Sequence, residues 1–344
     1  MSDRYGIVYL GSKEKILDLI KYIFEREYKQ KNFIDLFCGG LSVSSFALQK
    51  TKFNVYANDL NHFVIALYKE LLNGGHEFKE VQYDWISREQ FNNVRDFPEM
   101  FPDWYVGYVL NVWSFGCNQK DYLYAKDIEY HKMALHEAIV NNDFKHMNGC
   151  VEFDGFIPNE RVTQMNYRIN PRKRIDFMAH FKQLKNTVAT EARAQHLERL
   201  EQLESLSQME HLSAIKKNSS YKSRLTLSAL DWEECYNGIP TDVLEQSFIY
   251  CDPPYQDAKK YLMGGNFDYD RFWQWFRDCP YSVYVSSYKA PEDIKPLNFG
   301  LKAQLLDNGK RGDNKPKKVV QENIYWNGKG TAEPMMIDIL FGGE

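Results

Sequence analysis

Residues 32–59 constrain the fold of this chain more than any other stretch. Phe33-Ile34-Asp35-Leu36-Phe37 is a short apolar run of the kind that makes a buried strand. Cys38-Gly39-Gly40 makes a tight turn, and Leu41 to Leu48 supplies small and apolar residues suited to a packed helix. Asn54-Val55-Tyr56-Ala57-Asn58-Asp59 reads as a second strand ending in an acid. Strand, glycine turn, helix, strand is the geometry that brings backbone N–H groups close to a ligand. The glycines do not follow the dinucleotide-binding spacing, and no phosphate-loop lysine follows them. Asp35 stands where a ligand's polar end would lie, which disfavours a phosphate and favours a cation. An acid in the position of Asp59 can hold ribose hydroxyls. An ordinary βαβ unit with acids at solvated strand ends is the other reading of the same residues.

The second signal is Asp252-Pro253-Pro254-Tyr255, which follows the apolar run Ser247-Phe248-Ile249-Tyr250-Cys251. Prolines fix φ and cannot continue a ladder, so the chain must leave the sheet there. Without N–H groups they offer only carbonyl acceptors, and Asp252 adds a carboxylate. Tyr255 adds a flat face. Acceptors beside an aromatic plane suit a planar ring bearing an exocyclic amine, such as adenine. A Pro-Pro turn closing a strand, with Tyr255 as packing, fits the four residues equally well.

Composition bounds the function classes. The 344 residues allow one large α/β domain with a smaller inserted or appended one, and 44% hydrophobic content supports a sizeable core. The net charge of −4 and pI near 6.1 argue against a generally basic nucleic-acid protein, so any DNA contact must come from local patches. Six cysteines show neither C-x-x-C pairing nor zinc spacing, the histidines lack ligand spacing, and no metal is expected. No run is apolar enough to span a membrane and no leader pattern stands at the N-terminus, so a soluble, cytoplasmic protein is expected.

Helical periodicity covers Lys13 to Glu27, His62 to Leu72 before Gly74-Gly75, and the stretch that places Val106, Val109, Leu110 and Trp113 on one face. After Ser223 strands return at Leu225–Leu230 and Ser247–Cys251, then a helix over Phe267–Asp278 capped by Asp268, then a strand at Tyr281–Ser286. The expected organisation is a discontinuous core of residues 1–67 and 221–344, interrupted by a largely helical insertion over 68–220. Arg168, Arg172, Lys173 and Arg174 lie in that insertion beside Tyr167 and two asparagines, a combination suited to phosphates and base edges or to a solvated loop. Lys310 and Arg311 sit in a basic hairpin loop that forms a second patch. Apolar residues recur every third position from Leu197 to Ile215, a period that winds around a helix and fits no heptad seam.

Taken together, these motifs resemble the Dam-type DNA adenine-N6 methyltransferases, especially the phage-like branch. The matching stretches are Tyr9-Leu10-Gly11-Ser12-Lys13, Phe33 to Gly40, Asn58-Asp59 and Tyr250 to Tyr255, in the family's order. Weaker echoes are Trp113-Ser114-Phe115-Gly116, Ser228 to Trp232 and Val285 to Tyr288. The resemblance implies a Rossmann-like methyltransferase core dependent on S-adenosylmethionine, with target recognition in the insertion. It implies that Asp252, Pro253, Pro254 and Tyr255 receive the flipped adenine of a duplex DNA. It further implies that Lys13 meets the methionine carboxylate, Asp35 its ammonium and Asp59 the ribose. Gly39 and Gly40 would admit the cofactor, Asp231 and Trp232 would lie at its adenine, and Tyr9, Phe37 and Asp252 would complete its site. A restriction endonuclease is a possible counterpart. The family's recognition hairpin does not align, so no target sequence carries over. Methylation of cytosine N4 or RNA adenine N6 is a second reading, and a catalytically silent DNA-binding or assembly protein a third.

Overall fold

A computed structural model of the chain describes residues 5–7, 9, 13, 16–141, 146, 219–254, 267–297 and 323–330. The N-terminal helix α1 (Leu17–Arg26) buries Leu17, Ile20, Ile23 and Phe24. It starts later than its periodicity predicts. Lys13 lies outside the helix, its backbone N–H donating to Ser42 Oγ at 3.3 Å, so a tertiary contact overrides local helix propensity.

The βαβ unit forms as read: β1 (Asn32–Asp35), α2 (Ser42–Lys50) and β2 (Asn54–Asn58). Next come α3 (His62–Leu72), α4 (His76–Val81), α5 (Arg88–Asp96), α6 (Asp103–Val112) and α7 (Lys126–Val140). Gly74 and Gly75 end α3 with φ of 108° and 56°, values that glycine adopts without strain. Helices α4 to α7 share one hydrophobic cluster with α1, α2 and the sheet, through Phe78, Phe91, Val109 and Ile128. The basic cluster Arg168 to Arg174, the repeat Leu197 to Ile215, and Lys310 with Arg311 lie outside the described residues.

The chain returns to the sheet with β3 (Leu225–Ser228), then α8 (Trp232–Gly238), α9 (Thr241–Leu244) and β4 (Ser247–Cys251). It finishes with α10 (Tyr269–Asp278), β5 (Ser282–Ser287) and β6 (Asn323–Trp326). The Asp268 carboxylate caps α10 by accepting from the Arg271 N–H at 3.0 Å.

Among the described residues the sheet has order β3-β2-β1-β4-β5-β6, parallel except for β6, which runs antiparallel to β5. This is a Rossmann-like arrangement. From β1 the chain winds outward to β2 and β3, then returns to build β4 and β5 on the other side. Strand order therefore reverses between β1 and β4, and ligands of open α/β sheets bind in the crevice beyond the strand ends at such a point. Alternation divides the two faces. Phe33, Val55, Ala57, Phe248, Tyr250 and Tyr284 pack toward α1 and α2, whereas Ile34, Ile249, Cys251, Val283 and Val285 pack toward α8 and α10. Asp35 shares the parity of Phe33, Asp59 that of Ala57, and Asp252 that of Tyr250. One face of the sheet thus carries all three acids at its C-terminal edge.

Candidate active site

β1, β2 and β4 deliver Asp35, Asp59 and Asp252 to the crevice at the reversal point. Asp35 is buried, and its Oδ2 accepts from Ser44 Oγ of α2 at 2.7 Å. The Phe37 backbone N–H also acts on this carboxyl. Burial, reinforced by the charges of Asp252 and Asp59, pushes the Asp35 carboxyl up to about 7, against the opposing hydrogen bonds from Ser44 and the Phe37 amide.

Asp59 is half-buried at the end of β2 and organises the turn around it. Its Oδ2 accepts from the Gly39 N–H at 2.8 Å and its Oδ1 from the Asn61 N–H at 2.8 Å. Desolvation raises its pKa, and the two amides oppose the rise. Gly39 has φ of 46°, and a Cβ there would stand 3.0 Å from the Tyr9 ring. A Cβ on Gly40 would meet the Ile7 carbonyl at 2.6 Å. These glycines admit the N-terminal segment, which brings Tyr9 and Lys13 over the turn.

Asp252 joins the two halves of the site. Its Oδ2 is ion-paired with Lys13 Nζ, and the lysine is 5% exposed. Its Oδ1 accepts from Ser286 Oγ at 3.1 Å. Just beyond, the Pro254 carbonyl accepts from Tyr269 OH at 2.8 Å, which anchors the proline turn to the start of α10. Tyr255 lies outside the described residues.

On the other side of the turn Phe37 stacks on Trp232, with ring centroids 6.4 Å apart, and meets Phe267 and Phe272 edge-on. Asp231 is exposed and caps α8, its Oδ1 accepting from the Glu233 N–H at 3.0 Å. Burial together with the charges of Asp59 and Asp35 holds the Cys38 thiol well above its ordinary range. It is therefore a packed, protonated group and a poor nucleophile.

Sequence reasoning assigned no role to several residues that build the site. Asn58 donates to the Leu36 and Leu230 carbonyls, at 3.2 and 3.0 Å, and accepts from Ser228 Oγ and the Leu230 N–H. One amide thereby fastens the ends of β1, β2 and β3 together. Asn61 caps α3 and donates to Gln119 Oε1 at 3.2 Å, tying the loop after α6 to the Asp59 turn. Cys117 and Gln119 in that loop have φ of 55° and 61°, a left-handed conformation uncommon for non-glycine residues. An asparagine before a helix signals the cap, but nothing local signals the remote partners.

Three acidic side chains thus meet one buried lysine at the reversal point, and the lysine is already paired with Asp252. This preponderance of acids disfavours a phosphate. The family model of the D12 class N6 adenine-specific DNA methyltransferases matches residues 9–295, well over half of the chain. The chain therefore belongs to this class of Dam-type enzymes, which methylate the N6 amine of adenine in DNA.

Proposed function

We propose that the chain transfers the methyl of S-adenosylmethionine to an adenine flipped out of duplex DNA into the pocket formed by Asp252, Pro253, Pro254 and Tyr255. The observation that supports this reading is the charge layout at the reversal point: Asp35 buried at the end of β1, Asp59 at the second strand end, and Lys13 beside Asp252. The cofactor's groups fit these residues. Asp35 suits the methionine ammonium, Lys13 its carboxylate and Asp59 the ribose, while Phe37 with Trp232 and Asp231 suits the adenine. Gly39, Gly40 and Tyr9 shape the turn beneath it. S-adenosylmethionine supplies a methyl on a sulfonium, whose carrier leaves as a neutral thioether.

The chain's own residues supply acceptors and alignment. The adenine N6 lone pair is delocalised into the ring, so the amine is a poor nucleophile. Acceptors out of the ring plane favour a tetrahedral nitrogen and stabilise the charge that develops there. Asp252 is one such acceptor, because an ionised carboxylate offers only acceptor sites, about four across its two oxygens. The proline turn supplies the second acceptor, and the Pro253 carbonyl is assigned to it, the Pro254 carbonyl already accepting one bond from Tyr269. Tyr255 stacks on the base, which must leave the helix to reach this depth. Holding the nitrogen, methyl and sulfur in line supplies much of the acceleration. DNA contacts are assigned to Arg168, Arg172, Lys173 and Arg174, with Lys310 and Arg311 as a second patch, and target recognition to the insertion over 68–220.

Asp252→Ala tests the assignment. Losing one charge-stabilising contact costs about two to three orders of magnitude in rate. Methyl transfer under single-turnover conditions should fall by that much while duplex binding changes little. Turnover near wild type in this variant would remove Asp252 from the chemistry.

A further inference from the structure

We propose that Ser286 is a positioning residue for methyl transfer, holding the Asp252 carboxylate in the orientation that receives the target amine. The proposal rests on the role given to Asp252 above. Cys251 is in register with Val285, so one residue on, Asp252 stands beside Ser286 on the same sheet face as Tyr250 and Tyr284. Ser286 is fully buried. Its hydroxyl donates to Asp252 Oδ1 at 3.1 Å, and it accepts from Tyr250 OH at 2.8 Å.

The direction of this relay follows from the groups themselves. A carboxylate paired with Lys13 has no proton to give, and serine has only one hydroxyl proton. That proton therefore lies toward Asp252, and Tyr250 must donate to the serine oxygen. Lys13 holds one carboxylate oxygen and Ser286 the other, so the plane of the group is fixed at two points. The carboxylate torsion is otherwise broad and twofold, and a lysine ammonium on its flexible stem defines no plane. Serine is also a poor choice for packing here. Val283, Tyr284 and Val285 are the β-branched and aromatic residues that a buried strand favours, whereas a buried hydroxyl is costly unless bonded. Both bonds that Ser286 makes run along the line from Tyr250 to Asp252.

Four variants test this: Ser286→Ala, Ser286→Thr, Tyr250→Phe and Asp252→Ala, each compared by thermal melting, duplex affinity, S-adenosylmethionine affinity and single-turnover rate. Ser286→Ala should lose roughly tenfold to a hundredfold in rate with both affinities nearly unchanged, as expected when a reacting group loses its alignment. Ser286→Thr, which keeps the hydroxyl, should recover most of that loss. Tyr250→Phe should fall between wild type and Ser286→Ala. A wild-type rate in Ser286→Ala with an inactive Asp252→Ala overturns the positioning role and leaves Asp252 in place. Wild-type rates in both overturn the assignment of Asp252 itself. Should Ser286→Ala fail to fold, Tyr250→Phe decides, and a wild-type rate in that variant overturns the relay.

Discussion

A carboxyl buried beside two others, as Asp35 is beside Asp252 and Asp59, resists ionisation until a cation arrives. Its pKa of about 7 in the folded chain lies above the ordinary carboxylate value. Between about pH 4 and pH 7 the folded state therefore binds more protons than the unfolded state, and stability falls as pH rises through that window. Integrated over it, ionising Asp35 costs roughly 4 kcal/mol. Asp35→Asn should melt higher than wild type at pH 8, with the difference vanishing toward pH 4. The same substitution should weaken S-adenosylmethionine binding at least tenfold, since a charge-assisted hydrogen bond contributes about 1.5–3 kcal/mol. Melting curves across pH, with calorimetry at pH 8, check both halves. A melting difference independent of pH would show that Asp35 is ionised throughout.

Between elements, α6 approaches α3 closely. A Cβ on Gly107 would overlap the Phe63 carbonyl, which is backbone and cannot turn aside. Gly107→Ala should therefore separate the two helices, destabilising the fold by about 1–3 kcal/mol despite the better helix propensity of alanine. Denaturant unfolding measures this, and a stabilised variant would contradict the packing. α3, with its glycine stop, and α10, with its Asp268 cap, were legible in the sequence because local chemistry fixes their ends. The strand-end positions of Asp35, Asp59 and Asp252 were equally legible, because an apolar run and the turn residues after it are local signals. Periodicity places Lys13 on a helix, but a hydrogen bond to Ser42, 29 residues away, ties it down before the helix starts. Asn58 and Ser286 carried no local signal for their roles. Their partners Leu230 and Asp252 lie 172 and 34 residues away in the chain.

For the whole molecule, a net charge of −4 sets the terms on which it meets DNA. No general attraction draws the duplex in, so a few local cations must bear the phosphate contacts. Arg172→Ala and Arg174→Ala should each weaken duplex binding and lower the salt slope by about one unit. Unchanged affinity and slope in both would move the contacts to Lys310 and Arg311. Among the described residues no helix is long and apolar enough to cross a membrane. The central claim is that the crevice between β1 and β4 brings a sulfonium methyl to an adenine amine. It is tested most directly by incubating the protein with methyl-labelled S-adenosylmethionine and duplex DNA and then mapping the modified base. Label on adenine N6, lost in Asp252→Ala, is the predicted result. Label on cytosine N4, label on RNA alone, or none on any nucleic acid would contradict it.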